Sequence, residues 1–142
     1  SLEQCMSVVE SNVWYFDNGA TKHITSQPNF FTSLKLAPIG NIVTCVNNSS
    51  YLVMGVDKII FTTVDSSSFT VSDALFVPRI KKNLLSVSAL AKIGLVVKFV
   101  DTKCTGHDLS NGVVIVALGV LCRGLYKLID YERSINDSAC AI

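Results

Sequence analysis

The sequence predicts a mostly β, single-domain, barrel-like fold with one short helix, and three observations carry that prediction. Its 142 residues suit one domain and suffice to bury a core of their own. The apolar runs are short, rich in Val, Ile, Phe and Tyr, and broken by Asn, Ser, Asp and Gly, the pattern of strands joined by turns. One stretch, Asn83 to Gly94, instead carries apolar residues at helical spacing (Leu84, Val87, Leu90, Ala91), with a capping residue first and a glycine last.

Taken in order, residues 1–12 read as a leader, 13–130 as the folded domain and 131–142 as a tail. Strands are expected over 13–16, 41–46, 51–56, 58–64, 69–76, 95–100, 113–117 and 124–129. Asn47-Asn48-Ser49-Ser50 reads as a hairpin tip and Ser110-Asn111-Gly112 as a second turn, because these residues bend the chain at little cost. The helix is expected near residues 84–93. No repeat at solenoid spacing and no long Pro- or Gly-rich linker interrupts the domain.

Composition narrows the partners. Charged residues are 16% and hydrophobic residues 49%, against roughly 25% charged in typical soluble domains, so the chain is either well buried or shares a face with a partner. A net charge of +1 supplies no field for a phosphate backbone or an anionic bilayer, so neither direct nucleic-acid binding nor a membrane is expected. The apolar run from Gly112 to Cys122 is eleven residues, short of the roughly 20 that cross a bilayer. The amino terminus lacks the basic start and apolar run of a secretory signal. Cys5, Cys45, Cys104, Cys122 and Cys140 are odd in number and widely spaced, which implies free thiols in a reducing, cytoplasmic compartment.

The most specific local signal is Trp14-Tyr15-Phe16-Asp17-Asn18-Gly19-Ala20-Thr21. An aspartate that follows an apolar strand and precedes a glycine turn is a carboxylate delivered from buried chain into a tight loop. Two readings stand side by side. Asp17 can simply turn the chain through its own backbone. Alternatively it is half of a catalytic pair, in which two carboxyls about 3 Å apart share one proton and serve as base and acid for an attacking water.

Three segments, in order, carry a resemblance. Asp17-Asn18-Gly19-Ala20 followed by Thr21-Lys22-His23-Ile24-Thr25 resembles the active-site stretch of the aspartic proteases (retropepsins) of copia-type LTR retrotransposon Pol polyproteins. Ala74 to Leu90, containing Val77-Pro78 and Lys81-Lys82-Asn83-Leu84-Leu85-Ser86-Val87-Ser88, is similar to a second segment of that family, and Gly124-Leu125-Tyr126-Lys127-Leu128 to its close. The resemblance implies a retropepsin-like acid-protease barrel in which one chain gives a single catalytic aspartate, Asp17, within an active-site loop that includes Asn18, Gly19 and Ala20. An active enzyme then requires a two-fold homodimer. The resemblance also implies a flap from Ile42 to Phe61, with Asn47, Asn48, Ser49 and Ser50 at its tip over a polypeptide substrate, and a virus-like particle as the setting. The family usually has Ser or Thr where this chain has Asn18, and that hydroxyl ties the paired loops together across the dimer.

Other residues read as structural. The resemblance implies that His23, which follows the active-site loop, is structural and not a catalytic partner of Asp17. Cys104, His107 and Cys122 lack the spacing and the fourth ligand of a zinc site, so no metal or other cofactor is expected. Arg79, Lys81 and Lys82 form a small basic cluster of the kind common on solvated loops. Two functions remain open: a homodimeric aspartic endopeptidase that processes a gag-pol polyprotein, or a weak or inactive protease-like domain kept for dimerisation or protein binding.

Overall fold

The computed structural model describes residues 12–36, 40, 42–44, 49–62, 68–109 and 114–129, so the expected leader and tail fall outside the described residues apart from Asn12. The fold is mostly β with one short helix. Nine strands form a single sheet that curls into a half-barrel. In chain order its strands are β1 (Trp14–Asp17), β2 (Ile24–Thr25), β5 (Gly55–Thr62), β6 (Ser68–Phe76), β7 (Asn83–Ser86), β8 (Leu95–Val100), β9 (Lys103–Asp108), β10 (Val114–Cys122) and β11 (Leu125–Ile129). Their spatial order is β5-β6-β2-β7-β1-β11-β10-β9-β8. Strands β3 (Ile42–Thr44) and β4 (Ser50–Leu52) form a separate antiparallel pair.

Strand β1 lies in the middle of the sheet. It runs parallel to β7, from Trp14 beside Asn83 to Asp17 beside Ser86, and antiparallel to β11. Both of its faces are also covered, since the successive residues Val13, Trp14, Tyr15 and Phe16, which alternate between faces, are all buried and so read as an unbroken apolar run. Trp14 and Phe16 join Phe31, Ile59, Val71, Phe76, Leu85 and Leu90 in the main core. A smaller cluster of Ile24, Val53, Val77 and Ile80 takes up Tyr51 from β4 and so seats the hairpin's base.

The expected helix is half strand. Asn83 to Ser86 extend along β1, and the helix α1 spans only Val87–Lys92. The competition is decided by burial: Leu85 is fully inside the core as a strand residue between β1 and β2. The cap is therefore Ser86, whose side chain accepts from the Ala89 N–H, and not Asn83. The C-terminal signal is as read, with Gly94 at φ +86° and its N–H on Ala91 O.

The hairpin is also shorter than expected. It ends at Leu52 instead of running to Phe61, because buried Val53 and the Met54 N–H bond to Phe76 O carry the chain into the main sheet. Gly55 then passes so close to the Leu34 side chain and the Lys35 carbonyl that a Cβ would sit 2.8 Å and 3.1 Å from them. Beyond that point β5 pairs with β6, with a bulge opposite residues 57–59.

Residues 95–129 complete the sheet. Strands β8 to β11 form an antiparallel meander that ends by docking β11 on the edge of β1. Arg123 and Gly124, both at positive φ, make the two-residue turn between β10 and β11 that right-handed strand twist favours. Tyr126 Oη donates to Asp101 O at 2.6 Å and fastens the β8–β9 turn to β11. Where the meander crosses β1, Gly119 has no room for a side chain: a Cβ would overlap Cys104 Sγ and lie 3.1 Å from Lys127 O and 3.2 Å from the Phe16 ring. Gly119→Ala is expected to cost about 1–3 kcal/mol through overpacking, and Gly119→Ala with Cys104→Ala less than that, as read by denaturant unfolding.

Cys104 is a buried free thiol whose pKa is pushed up to about 11 by desolvation. Cys122 is buried and disulfide-bonded, which corrects the expectation of five free thiols. Its partner is not Cys104, and the other three cysteines lie outside the described residues. Among the described residues no helix is long and apolar enough to cross a membrane.

Candidate active site

Asp17 is the last residue of β1, where the strand emerges from the core, and the loop that follows returns to the sheet at β2. Strands β1 and β2 are consecutive in sequence yet not adjacent in space, because β7 is inserted between them. The loop 18–23 must therefore arch over the end of β7. Asn18 and Gly19 are exposed at its crest, Asp17 and Ala20 half-buried at its base.

The carboxylate is fixed by the turn it makes. Gly19 N–H donates to Asp17 Oδ1 at 2.8 Å, an Asx-type turn that leaves Oδ2 available to other groups. Both sequence readings of Asp17 are thus compatible with one geometry: it turns the chain, and by doing so its side chain is held in a single orientation at the surface.

Ser86 holds the loop from below. Its Oγ donates to Ala20 O at 2.6 Å and accepts from Ala89 N–H at 3.1 Å, so one hydroxyl binds the loop and caps α1. Its backbone N–H donates to His23 Nδ1 at 3.0 Å. Ser88 Oγ lies 3.1 Å from Ser86 Oγ and 3.5 Å from Ala20 O. A buried donor or acceptor left unpaired costs about 1–3 kcal/mol, so this cluster is a firm tie between β7, α1 and both halves of the loop.

His23 is buried and its pKa is lowered to about 4, first by desolvation and second by the Lys22 ammonium. The ring is therefore neutral at ordinary pH. Because Nδ1 accepts, the proton of the neutral ring resides on Nε2. His23 ties the loop to β7 through that bond, a role more specific than the structural one the resemblance implied, and its backbone carbonyl also accepts from Leu75 N–H at 2.8 Å.

A second polar tie lies at the other end of β7. Asn83 Nδ2 donates to Val13 O at 2.9 Å, while its Oδ1 accepts from Thr25 Oγ1 at 2.6 Å. Thr25 Oγ1 in turn accepts from Gln27 N–H at 3.0 Å. Asn83 thus bridges the residue before β1 and the last residue of β2, the two strands that flank the loop. The family resemblance also sets Leu84-Leu85-Ser86 behind the active-site loop, and Ser86 lies there; sequence reasoning missed the bonds that Ser86 makes, and missed Asn83 and Thr25 as site supports. The available signal was a polar residue on each side of Leu84-Leu85, since a polar group inside an apolar strand needs a buried partner.

The remaining expected site residues are placed less closely. Ser49 and Ser50 lie at the start of β4, and Asn47 and Asn48 fall outside the described residues. No group of three or more His, Cys, Asp or Glu side chains that could hold a metal ion occurs among the described residues. His107 Nε2 is 2.7 Å from Thr105 Oγ1, within β9. Lys82 lies over the Tyr15 ring at 5.4 Å, a cation–π contact that occupies part of the basic cluster.

Comparison with known proteins places this architecture. The profile of the Pol polyprotein beta-barrel domain matches residues 14–95, from the first residue of β1 to the first of β8. The chain belongs to that family. Retrovirus-related Pol polyproteins from transposons RE1 and RE2 of Arabidopsis thaliana are each 32% identical to it over 108 residues. That alignment covers 75% of this chain and 7% of each relative, so the chain spans a small part of the polyproteins it resembles. No solved structure matches. In this Pol beta-barrel domain the matched stretch includes the whole Asp17 loop with β7 and α1, whereas β9 to β11, one of which covers an edge of β1, lie beyond it.

Proposed function

We propose that this Pol beta-barrel domain is the aspartic protease of a copia-type polyprotein, a homodimer that cleaves the polypeptide from which it derives. The observation that carries the reading is the Asp17 carboxylate, delivered by a buried central strand to an exposed loop and oriented there by Gly19 N–H. One chain supplies one such carboxylate, so two chains meet about a two-fold axis with both Asp17 side chains facing each other. A water held between them attacks the scissile carbonyl. One carboxylate takes the water's proton while the protonated partner donates to the carbonyl oxygen, and the tetrahedral intermediate collapses as the amide nitrogen is protonated. The reaction needs one carboxyl protonated and the other ionised, so activity follows a bell-shaped pH profile. The β3–β4 hairpin serves as the flap that closes over the extended peptide. No cofactor or nucleic acid enters the reaction, and the setting that the family resemblance implies is a virus-like particle.

The test is incubation of the purified chain with a precursor that carries the polyprotein sequence upstream of it, at pH 5 to 7, beside an Asp17→Ala control. Cleavage by the wild type alone supports the proposal, and equal products from both chains contradict it.

Asn18 favours a second reading, a protease-like domain retained for dimerisation or protein binding with little or no activity. An amide is larger than the usual hydroxyl and carries both donor and acceptor. If the hydroxyl bonds across the dimer, Asn18→Ser or Asn18→Thr restores a compact bond worth about 0.5–1.5 kcal/mol in each protomer. Sedimentation equilibrium is then expected to show dimerisation tighter by several-fold to about a hundredfold, with cleavage rising alongside. No change in either quantity favours the binding-domain reading.

A further inference from the structure

We propose that His23 is a positioning residue for Asp17, holding the aspartate loop through the Ser86 amide, and that its protonation releases that loop. The inference rests on the protease reading for its catalytic consequence, but its structural content stands on the bonds themselves.

Ser86 lies beside Asp17 in the parallel β1–β7 register, yet its N–H is directed to the His23 ring at 3.0 Å. The same residue's hydroxyl bonds Ala20 O. The middle and the far end of the 18–23 loop therefore converge on one residue of β7. Losing the Nδ1 acceptor leaves a buried amide without a partner and frees the loop end that follows the Asp17–Gly19 turn.

Only a neutral ring can accept at Nδ1. A proton there turns the acceptor into a second donor facing the Ser86 N–H. The charged group acting on the ring is Lys22, which opposes protonation together with burial. On the packed elements, β1 offers Tyr15 and Asp17, β6 Asp73 and the last turn of α1 Lys92, whereas Asn83 to Ser86 of β7 carry no titratable side chain. Nothing on β7 compensates a charged imidazole, so acid opens the contact.

The conservative replacement is His23→Asn, since asparagine Oδ1 is attached at the same carbon as histidine Nδ1 and accepts without titrating. His23→Leu fills the space without an acceptor. The experiment records amide exchange at Ser86 and the Gly19 amide resonance by NMR, with precursor cleavage measured in parallel. At pH 6.5, His23→Asn is expected to keep both amide signatures and cleavage within about threefold of wild type. His23→Leu is expected to lower Ser86 protection and cleavage by about 10–100-fold and to shift the Gly19 resonance.

In the wild type, without any substitution, Ser86 protection is expected to fall as pH drops through about 4. His23→Asn abolishes that step and moves the acid limb of cleavage downward. An unchanged Gly19 resonance in His23→Leu, or unchanged Ser86 protection in the wild type through that acid step, overturns the proposal. If the wild type shows the amide behaviour but does not cleave, the protease reading falls while His23 remains the residue that positions Asp17.

Discussion

Asp17→Asn is expected to abolish precursor cleavage while leaving the fold intact. Asparagine retains the oxygen that accepts from Gly19 N–H, so the turn at the end of β1 survives the change. What it loses is the ability to take and return a proton. General acid–base catalysis by one positioned group contributes about 10²–10⁴-fold, and here the same group serves as base and acid in turn, so the loss falls at or beyond the upper end. Thermal unfolding of Asp17→Asn within a few degrees of wild type, with cleavage gone, is the expected pair of results. Cleavage retained within tenfold removes Asp17 from the chemistry.

The second large effect is on stability in acid. The lowered pKa of His23 means that the unfolded chain binds a proton at higher pH than the folded one does. The neutral ring's contribution is fully present above about pH 6.5, the unfolded value, and is lost as pH falls toward about 4. A difference of this size corresponds to a loss on the order of 3 kcal/mol across the window. Most carboxylates titrate near or below its lower end, so the upper half of the slope belongs mainly to His23. Urea unfolding of wild type and His23→Asn at several pH values between 7 and 4 is expected to show the slope in the first and a much flatter line in the second. Equal slopes assign the acid sensitivity to other groups.

Much of the fold was legible because strand signals are local. The run Leu95 to Val100 is rich in β-branched residues and is a strand with those bounds. Trp14 to Phe16 likewise announced a buried strand, and Asp17 with Gly19 announced its turn. Strand β9 was not legible: Lys103 to Asp108 includes Gly, His and Asp, and is extended because β8 and β10 pair with it on both sides. The same override of local preference makes Asn83 to Ser86 a strand although its spacing fits a helix. The site was half legible for the same reason. Asp17 and its loop are contiguous in sequence, whereas their supports, Asn83 and Ser86, reach them across more than sixty residues. Such contacts exist only once β7 has been threaded between β1 and β2. Cys122 shows a further limit, since an odd cysteine count excludes a complete framework of bridges and leaves a single one open.

The central claim is that two Asp17 carboxyls, one from each chain, form a single active site. Mixing wild type with Asp17→Asn at constant total concentration tests it most directly. If both aspartates are required and the chains pair at random, an equal mixture retains about a quarter of the wild-type rate, and the rate follows the square of the wild-type fraction. A rate that falls only to about a half, in direct proportion to the wild-type fraction, contradicts the shared site.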